Sequence, residues 1–559
     1  MRKIFFSLVI FIIIFYLGKR LLPSNIVFDY HDSTQPARVK EFTSSLLKGQ
    51  IPPRIAANFS FNLGYPVFNY YAPTAYWISS VIHLLGFDPI NSVKISFLLA
   101  TVIAFVGMYL LGNKLIGYPA GLIAGSLLAS SPWMASQIFI RGDLAEIWFI
   151  ALFPLTLYLL KLNSNKKSDR FIFLITVVIT SLTLTSHNLL SLIGSGFLAI
   201  YIFVVGKNLF RNYLAFFMSF LLAGYFFLPA LTELKFTHAV DIASGSSPYS
   251  SFLCLKQLWS GAWGYGGSVG GCENDGMAFM VGKLMIVMAS LGVFWAILNY
   301  KKLKGRIIFI FFLALSVFSI FMTLGQSSFI WKLTDPYSKI FQFSWRFLDF
   351  VIIFLSLLAG YLVINNKNVL VKAGLVILVT VNIFYNTKFF TKFPMSLVKL
   401  KQDILTQDYL TTSVVYYVPE YLPTVVSYND WLEYQPKKTP YKIDEYVGKG
   451  PVVSKEFLPV NTVKDTFYEK EAKTLLKGTY LINIHYLPYW KISINNNEFI
   501  PKKFDSLGRP IIRLDAPSTI KIKYRQTPVE IGGNVITVLT LTALLLILID
   551  KNIWKKMKV

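Results

Sequence analysis

Four short stretches of the 559-residue chain set acids, histidines and arginines among apolar neighbours. The first, Phe28-Asp29-Tyr30-His31-Asp32, follows directly on an apolar N-terminal run. A carboxylate such as Asp32 or Asp29 could take the proton from an attacking hydroxyl there, or hold a divalent cation against a phosphate. The Asp32-Ser33-Thr34 run could equally cap a helix over 33–48 with Pro36 in its first turn. In the second stretch, Arg141-Gly142-Asp143-Leu144-Ala145-Glu146, Asp143 has the place of a helix cap. Glu146 lies one turn further in, where an ionisable group entering hydrocarbon either lines a cavity or pairs, here with Arg141. The third, His187-Asn188, lacks the spaced partners of a metal cluster and reads as a turn or as a site residue. In the fourth, Phe341 to Asp349, Arg346 and Asp349 stand at i and i+3 and could pair. Arginine is also the side chain suited to bidentate recognition of phosphate or carboxylate.

The elements that must position these residues are membrane helices. The chain is 54% hydrophobic and only 15% charged, against about a quarter charged in soluble domains. Apolar runs fall near 4–22, 92–112, 117–135, 143–160, 170–186, 189–206, 211–229, 278–299, 306–324, 346–364, 369–386 and 531–549. Most are long enough to cross a hydrocarbon core of ~30 Å. The expected fold is therefore a polytopic α-helical membrane protein of about twelve spans. The first run, Ile4 to Leu17, follows Arg2 and Lys3 but has no small-residue cleavage site, so it reads as a retained anchor.

Charge decides both orientation and partners. The net charge is +25, yet residues 387–530 hold 21 basic and 15 acidic side chains, a net +6 that leaves +19 for the membrane part. Much of that excess lies in short loops, as the positive-inside bias requires. A nucleic-acid groove would instead interleave basic residues with exposed aromatics on a soluble face, so nucleic acid is excluded as a partner. The basic loops fall on one side only if 70–87 does not cross, which makes it an interfacial or re-entrant helix. Both termini are then cytoplasmic in a plasma (inner) membrane, and 23–91 forms a large first outer loop. The same parity places Asp32, Glu146, His187 and Arg346 at one membrane face. Cys254 and Cys272 share an outer loop where a disulfide could persist, or they are two unrelated thiols.

Residues 387–530 change character. Alternating runs at 479–486, 490–494, 510–514 and 519–524, separated by Asn495–Asn497 and Ser506–Gly508, predict a small extracytoplasmic β-rich, sandwich-like domain before the last helix. Trp431, Tyr434, Tyr489 and Trp490 read either as sugar-stacking or as core aromatics. The expected organisation is a membrane domain 1–386, the mixed β-rich domain 387–530, and a final helix with a basic tail over 531–559.

The short anchor, His31-Asp32, GYPVFNYYAPTAYW, RGDLAE, Ser186-His187-Asn188 and FQFSWRF together resemble the bacterial membrane proteins labelled 6-pyruvoyl-tetrahydropterin-synthase-related. That family is similar to a branch of the GT-C superfamily of polyprenyl-phosphate-sugar-dependent glycosyltransferases. The resemblance implies sugar transfer from a polyprenyl-phosphate-linked donor to a lipid or glycan acceptor at the outer face of the lipid bilayer. It places Asp32 where such enzymes carry their first-loop acid. Many of them have two adjacent acids there. Here the pair is His31-Asp32, which leaves the base role, and any Mg or Mn ion, to Asp32, with Asp29 as a second acid. His31, Arg141, Glu146, His187 and Arg346 would bind substrate or lipid phosphate. The alternative is a non-catalytic protein that binds or moves lipid-linked glycans, which should carry polar groups at mid-bilayer.

Overall fold

The computed structural model describes residues 2–22, 26–28, 31–165, 169–239, 241–242, 247–264, 276–303, 305–335, 340–391, 398–400, 405–406, 410–411, 414–427, 429 and 447–550. Every one of the expected spans is helical. Among the described residues, nine helices are long and apolar enough to cross a membrane, and Leu209–Leu222 with Gly224–Thr232 passes the same test as a pair bent by 66°. Arg170–Leu184 and Lys283–Leu298 are shorter apolar helices. Asp29 and Cys272, like Trp431 and Tyr434, lie outside the described residues, and among the described residues no cysteine is a free thiol.

The helices differ in how much protein surrounds them. Pro528–Ile549 is 22% buried and Val369–Phe389 28%, whereas Ala120–Arg141 is 100%, Ser344–Val363 89% and Leu144–Asn163 83%. The last three form the centre of the bundle, and they carry Arg141, Glu146, Arg346 and Asp349. An ionisable side chain on a peripheral helix would face hydrocarbon; on a central one it can be paired. Close approach at the centre uses small residues. A Cβ added to Gly112 would lie 2.8 Å from the Cα of Gly121, so Pro89–Leu115 and the following helix meet backbone to backbone.

The first loop is built from short helices at one end of this bundle. Gln35–Leu47 begins at Thr34, with Pro36 in its first turn and no side-chain capping bond, so Asp32 does not act as its cap. Thr74–Leu84 has 11 residues, about 16 Å at 1.5 Å per residue, too short to cross alone. It buries Thr74, Ala75, Tyr76, Ser79, Ser80 and Ile82 and exposes Val81, Leu84, Leu85 and Phe87. Between the helices, Ser60, Phe61 and Asn62 all have positive φ, at 54°, 58° and 61°. Non-glycine residues resist this left-handed conformation by roughly 1–2 kcal/mol each. Here it is held from outside the loop: Phe61 donates its amide to the Thr411 carbonyl (2.7 Å), and Ser60 bonds His485 Nε2 (2.7 Å).

Strand β1 (Ile26–Phe28) pairs antiparallel with β2 (Val398–Leu400), and before the last helix the chain forms two further antiparallel sheets. Strands β4 (Val460–Asp465), β5 (Glu469–Thr474), β7 (Trp490–Ile494), β8 (Asn497–Phe499) and β10 (Thr519–Tyr524) pair in the order β4-β5-β10-β7-β8. Strands β3 (Val452–Ser454), β6 (Gly478–Ile482) and β9 (Ile511–Leu514) pair as β3-β6-β9. Alternation drives this arrangement, since Ile492, Ile512, Ile520 and Ile522 all point into one core. Asn495 and Asn496 take the left-handed turn between β7 and β8. Tyr489 and Trp490 are buried in this core, so these two rings are not free to stack on a sugar.

One buried polar network ties first loop, bundle and last helix together. Arg54 donates to Asn69 Oδ1 (2.8 Å), the Tyr225 carbonyl (2.8 Å) and Asn534 Oδ1 (3.1 Å), with Glu530 Oε1 at 3.9 Å. Asn69 also donates to Glu530 (3.2 Å), whose backbone N–H bonds the Thr527 hydroxyl in a capping box. Removing one partner of a buried pair strands the other, at a cost of about 3–5 kcal/mol. Arg54→Leu is therefore expected to lower the thermal unfolding midpoint of detergent-purified protein by several degrees. An unchanged midpoint would mean that the network does not hold the last helix to the loop.

Candidate active site

The three central helices converge on Glu146, which is fully buried. The helix from Ala120 does not end in a regular turn: Gln137–Arg141 is a π-helical turn, followed by Gly142 at φ 65°. This widened turn brings Gln137 and Arg141 back over the start of the next helix. Asp143 caps that helix, its Oδ1 accepting from Ala145 N (3.1 Å) and Glu146 N (2.9 Å). Glu146 Oε1 accepts from Arg141 Nη2 (2.9 Å) and Arg346 Nε (3.2 Å). Its Oε2 accepts from Gln137 Nε2 (2.9 Å) and from Arg141 Nη1. His187 Nε2 lies 3.6 Å from Oε1. Of the two readings of Glu146, these contacts describe the pairing with Arg141.

The neighbours are consumed in the same network. Arg141 also bonds Gln137 Oε1 (2.7 Å) and Asp143 Oδ2 (3.0 Å), and its guanidinium lies 4.6 Å from the Trp345 ring. Arg346 and Asp349 do not pair with each other, although their spacing allows it. Asp349 Oδ1 instead accepts from Trp133 Nε1 (2.6 Å) and Gln137 Nε2 (2.9 Å). Arg346 turns to Glu146 and gives Nη1 to the Phe341 carbonyl (2.9 Å) and Gln342 (3.0 Å). His187 caps the helix Asn188–Val205, Nδ1 accepting from Leu190 N (3.2 Å), so its proton sits on Nε2. Burial pushes its pKa down to about 3 despite the nearby Glu146, which keeps the ring neutral.

Asp32 stands at the mouth of this cluster. The chain is docked there by backbone bonds, His31 N to the Ile140 carbonyl (3.0 Å) and Asp32 N to the Arg141 carbonyl (2.8 Å). Its carboxylate bonds His31 Nδ1 at 2.7 Å, and the side chain is 26% exposed. Burial acts to raise its pKa. The hydrogen bond and charge of His31, then the charges of Arg141 and Arg38, outweigh that and hold the carboxyl below its usual range. The site thus has an ionised, partly open carboxylate backed by a closed cluster. Several of its residues were not legible as site residues in the sequence. Gln137 and Asp349 are brought in by helix packing. Arg38, with Tyr71 and Tyr76, comes from the first-loop helices, and Glu420 from a segment some 390 residues away.

Asp143, Glu146 and His187 offer ligand atoms within 4.8 Å of one another. Asp32, the residue to which the sequence assigned any divalent ion, is not part of that group. The group itself does not fit a divalent ion as it stands. Both Glu146 oxygens already accept from guanidinium nitrogens, and Asp143 gives one oxygen to backbone amides and the other to Arg141. A cation placed there would displace or repel two arginines. The closed cluster and the open carboxylate should also respond differently to mutation. Glu146→Gln leaves Arg141 and Arg346 without their shared counter-charge and is expected to cost about 3–5 kcal/mol. Asp32→Asn, at the exposed mouth, is expected to cost less than about 1 kcal/mol. Thermal unfolding of the two variants checks this ordering, and equal losses would refute it.

No curated protein matches the sequence. Among solved structures, the arabinofuranosyltransferase AftD from Mycobacteria is similar over 69% of this chain and 26% of its own, with 13% identity and a TM-score of 0.43. The archaeal oligosaccharyltransferase AglB from Archaeoglobus fulgidus, in complex with an inhibitory peptide and a dolichol-phosphate, is similar over 70% of this chain and 56% of its own, at 12% identity and a TM-score of 0.46. ArnT from Cupriavidus metallidurans, bound to undecaprenyl phosphate, is similar over 67% of this chain and 62% of its own, at 12% identity and a TM-score of 0.41. The chain therefore spans less than two thirds of the length of each. The family described as "6-pyruvoyl-tetrahydropterin synthase related domain; membrane protein" matches residues 68–393. That match takes in more than half of the sequence, with Arg141, Glu146, His187 and Arg346 inside it, and the chain belongs to this family of membrane proteins.

Proposed function

We propose that the protein transfers a sugar from a polyprenyl-phosphate-linked donor to a lipid or glycan acceptor of the cell envelope, at the outer face of the plasma membrane. The observation that carries this reading is Asp32, a carboxylate kept ionised and 26% exposed at the end of a helical bundle. A base must be deprotonated and reachable, and Asp32 is both.

In the reaction, an acceptor hydroxyl oxygen forms a bond to the anomeric carbon of the donor while the bond from that carbon to the phosphate oxygen breaks. The hydroxyl proton passes to Asp32, and the electron pair of the broken bond leaves with the polyprenyl phosphate. Attack opposite the leaving group inverts the sugar carbon. Negative charge develops on the leaving phosphate, and fixed cations close to that point supply the largest electrostatic help. Arg346 supports this role, because its Nη2 makes no hydrogen bond among the described residues while Nε and Nη1 are held. Arg141 is a positioning residue in this scheme, its nitrogens engaged by Glu146, Asp143 and Gln137. Its carbonyl holds the backbone of Asp32 in place.

Asp32→Asn keeps the shape and removes the base, so transfer from radiolabelled polyprenyl-phosphate sugars should fall by about 10²–10⁴. Transfer at the wild-type rate would end the assignment. Because the Asp32 pKa is depressed, its base function is present at neutral pH. It is lost only as pH falls through the folded value, so its acid limb should lie below about pH 4. The orientation is tested separately: a cysteine at Ile116 should be labelled from the cytoplasm, and labelling from outside would mean that 70–87 crosses.

A further inference from the structure

Arg38 is a buried cation that none of the ion pairs above accounts for. It projects from Gln35–Leu47 and is 2% exposed. Its Nη1 donates to the neutral Tyr76 hydroxyl (2.9 Å), and the guanidinium lies 4.6 Å from the centre of the Tyr71 ring. Its Nε is buried without a hydrogen-bond partner, and no carboxylate is in ion-pair contact with it among the described residues. The Nε–Nη2 edge of a guanidinium is a two-pronged donor that matches two oxygens of one phosphate. A guanidinium closed off from water, in contact with a phenol and a ring and with no ion pair among the described residues, is a site prepared for an anion.

Two carboxylates sit near enough for their charges to be felt, without touching it: Asp32 and Glu420. Glu420 belongs to the turn Pro419–Tyr421, which is fixed on the first loop. The Tyr65 hydroxyl donates to the Val418 carbonyl and accepts from Tyr421 N (3.0 Å), and the Tyr421 ring stacks on Tyr70 at 5.6 Å. On its far side the segment is bonded to another loop, His238 N to the Leu422 carbonyl (3.0 Å) and Thr424 N to the Phe236 carbonyl (3.0 Å). Glu420 therefore sits on a segment clamped on both sides.

We propose that Arg38 is the cation that receives the phosphate group of a polyprenyl phosphate, and that Glu420 is the resident carboxylate that competes with that phosphate for it. The reaction above supplies the source of the phosphate; the choice of Arg38 rests on its own lack of a counter-ion. Arg141 and Arg346 share their charge with Glu146 at contact distance, so Arg38 is the stronger unoccupied attractor. Removing the Glu420 charge should tighten anion binding, and removing Arg38 should weaken it.

The test uses full-length protein in detergent, with undecaprenyl phosphate and inorganic phosphate as separate probes, read by native mass spectrometry or intrinsic tryptophan fluorescence. Arg38→Gln should weaken undecaprenyl phosphate binding at least tenfold, and Glu420→Gln should strengthen it several-fold. Wild-type affinity in Arg38→Gln, weaker binding in Glu420→Gln, or no binding of either probe by the wild type would each overturn the proposal. Inorganic phosphate binding as tightly as the lipid would overturn the lipid as the source. The two readings fail independently: normal binding by Arg38→Gln alongside inactive Asp32→Asn removes this inference and leaves the transferase. Arg38-dependent binding with full activity in Asp32→Asn does the reverse.

Discussion

A carboxylate inside an apolar bundle is the constraint from which the rest of this structure follows. Glu146 cannot be hydrated where it stands, so it must be neutralised by partners from other helices. It takes guanidinium nitrogens from Arg141 on one side and Arg346 on the other, an amide from Gln137, and the edge of a neutral His187. Gln137 and Arg141 share one π-helical turn, while His187 and Arg346 lie at the starts of two other helices. The π-helical turn Gln137–Arg141 is the local deformation that makes the geometry reachable, since a regular turn would carry Arg141 round the helix. The same turn leaves the carbonyls of Ile140 and Arg141 free to hold the backbone of His31 and Asp32.

This divides the polar residues into two layers with different duties. In the inner layer the charges of Arg141, Asp143 and Glu146 are spent on one another, and their value is rigidity. In the outer layer Asp32, Arg38 and Glu420 influence one another without contact, which is the arrangement expected where a ligand completes the set. Tyrosines from the first loop and from the segment after Val414 wall that layer. The polar groups of this region thus come from the start of the chain, its middle and its last third.

The helices were legible in the sequence because length and apolar composition alone specify them, and the strands 490–494 and 519–524 because alternation does. The polar stretches could be located, and the Lys/Arg asymmetry could gather them at one face, but their pairing could not be read. Arg346 and Asp349 at i and i+3 look like a local pair, yet each finds a stronger partner on another helix. Asp32-Ser33-Thr34 looks like a cap, yet Asp32 is taken by His31 and by the turn at Arg141. Arg38 and Glu420 left no signal, because a single basic or acidic residue in a polar segment carries no periodicity. What distinguishes Arg38 is the partner its Nε lacks among the described residues, and that shows only in three dimensions.

The three left-handed residues Ser60–Asn62 bear on how the molecule is made. Their conformation is opposed locally and is fixed by Thr411 and His485, which are synthesised more than 350 residues later. Arg54, a few residues before them, likewise waits for Glu530 and Asn534 at the very end. A ribosome therefore delivers the wall of the site first and the means of closing it last. Through most of its synthesis and insertion the bundle would be present with an unfinished mouth, and a chain that stopped short would be a membrane-embedded scaffold with an open, inert site.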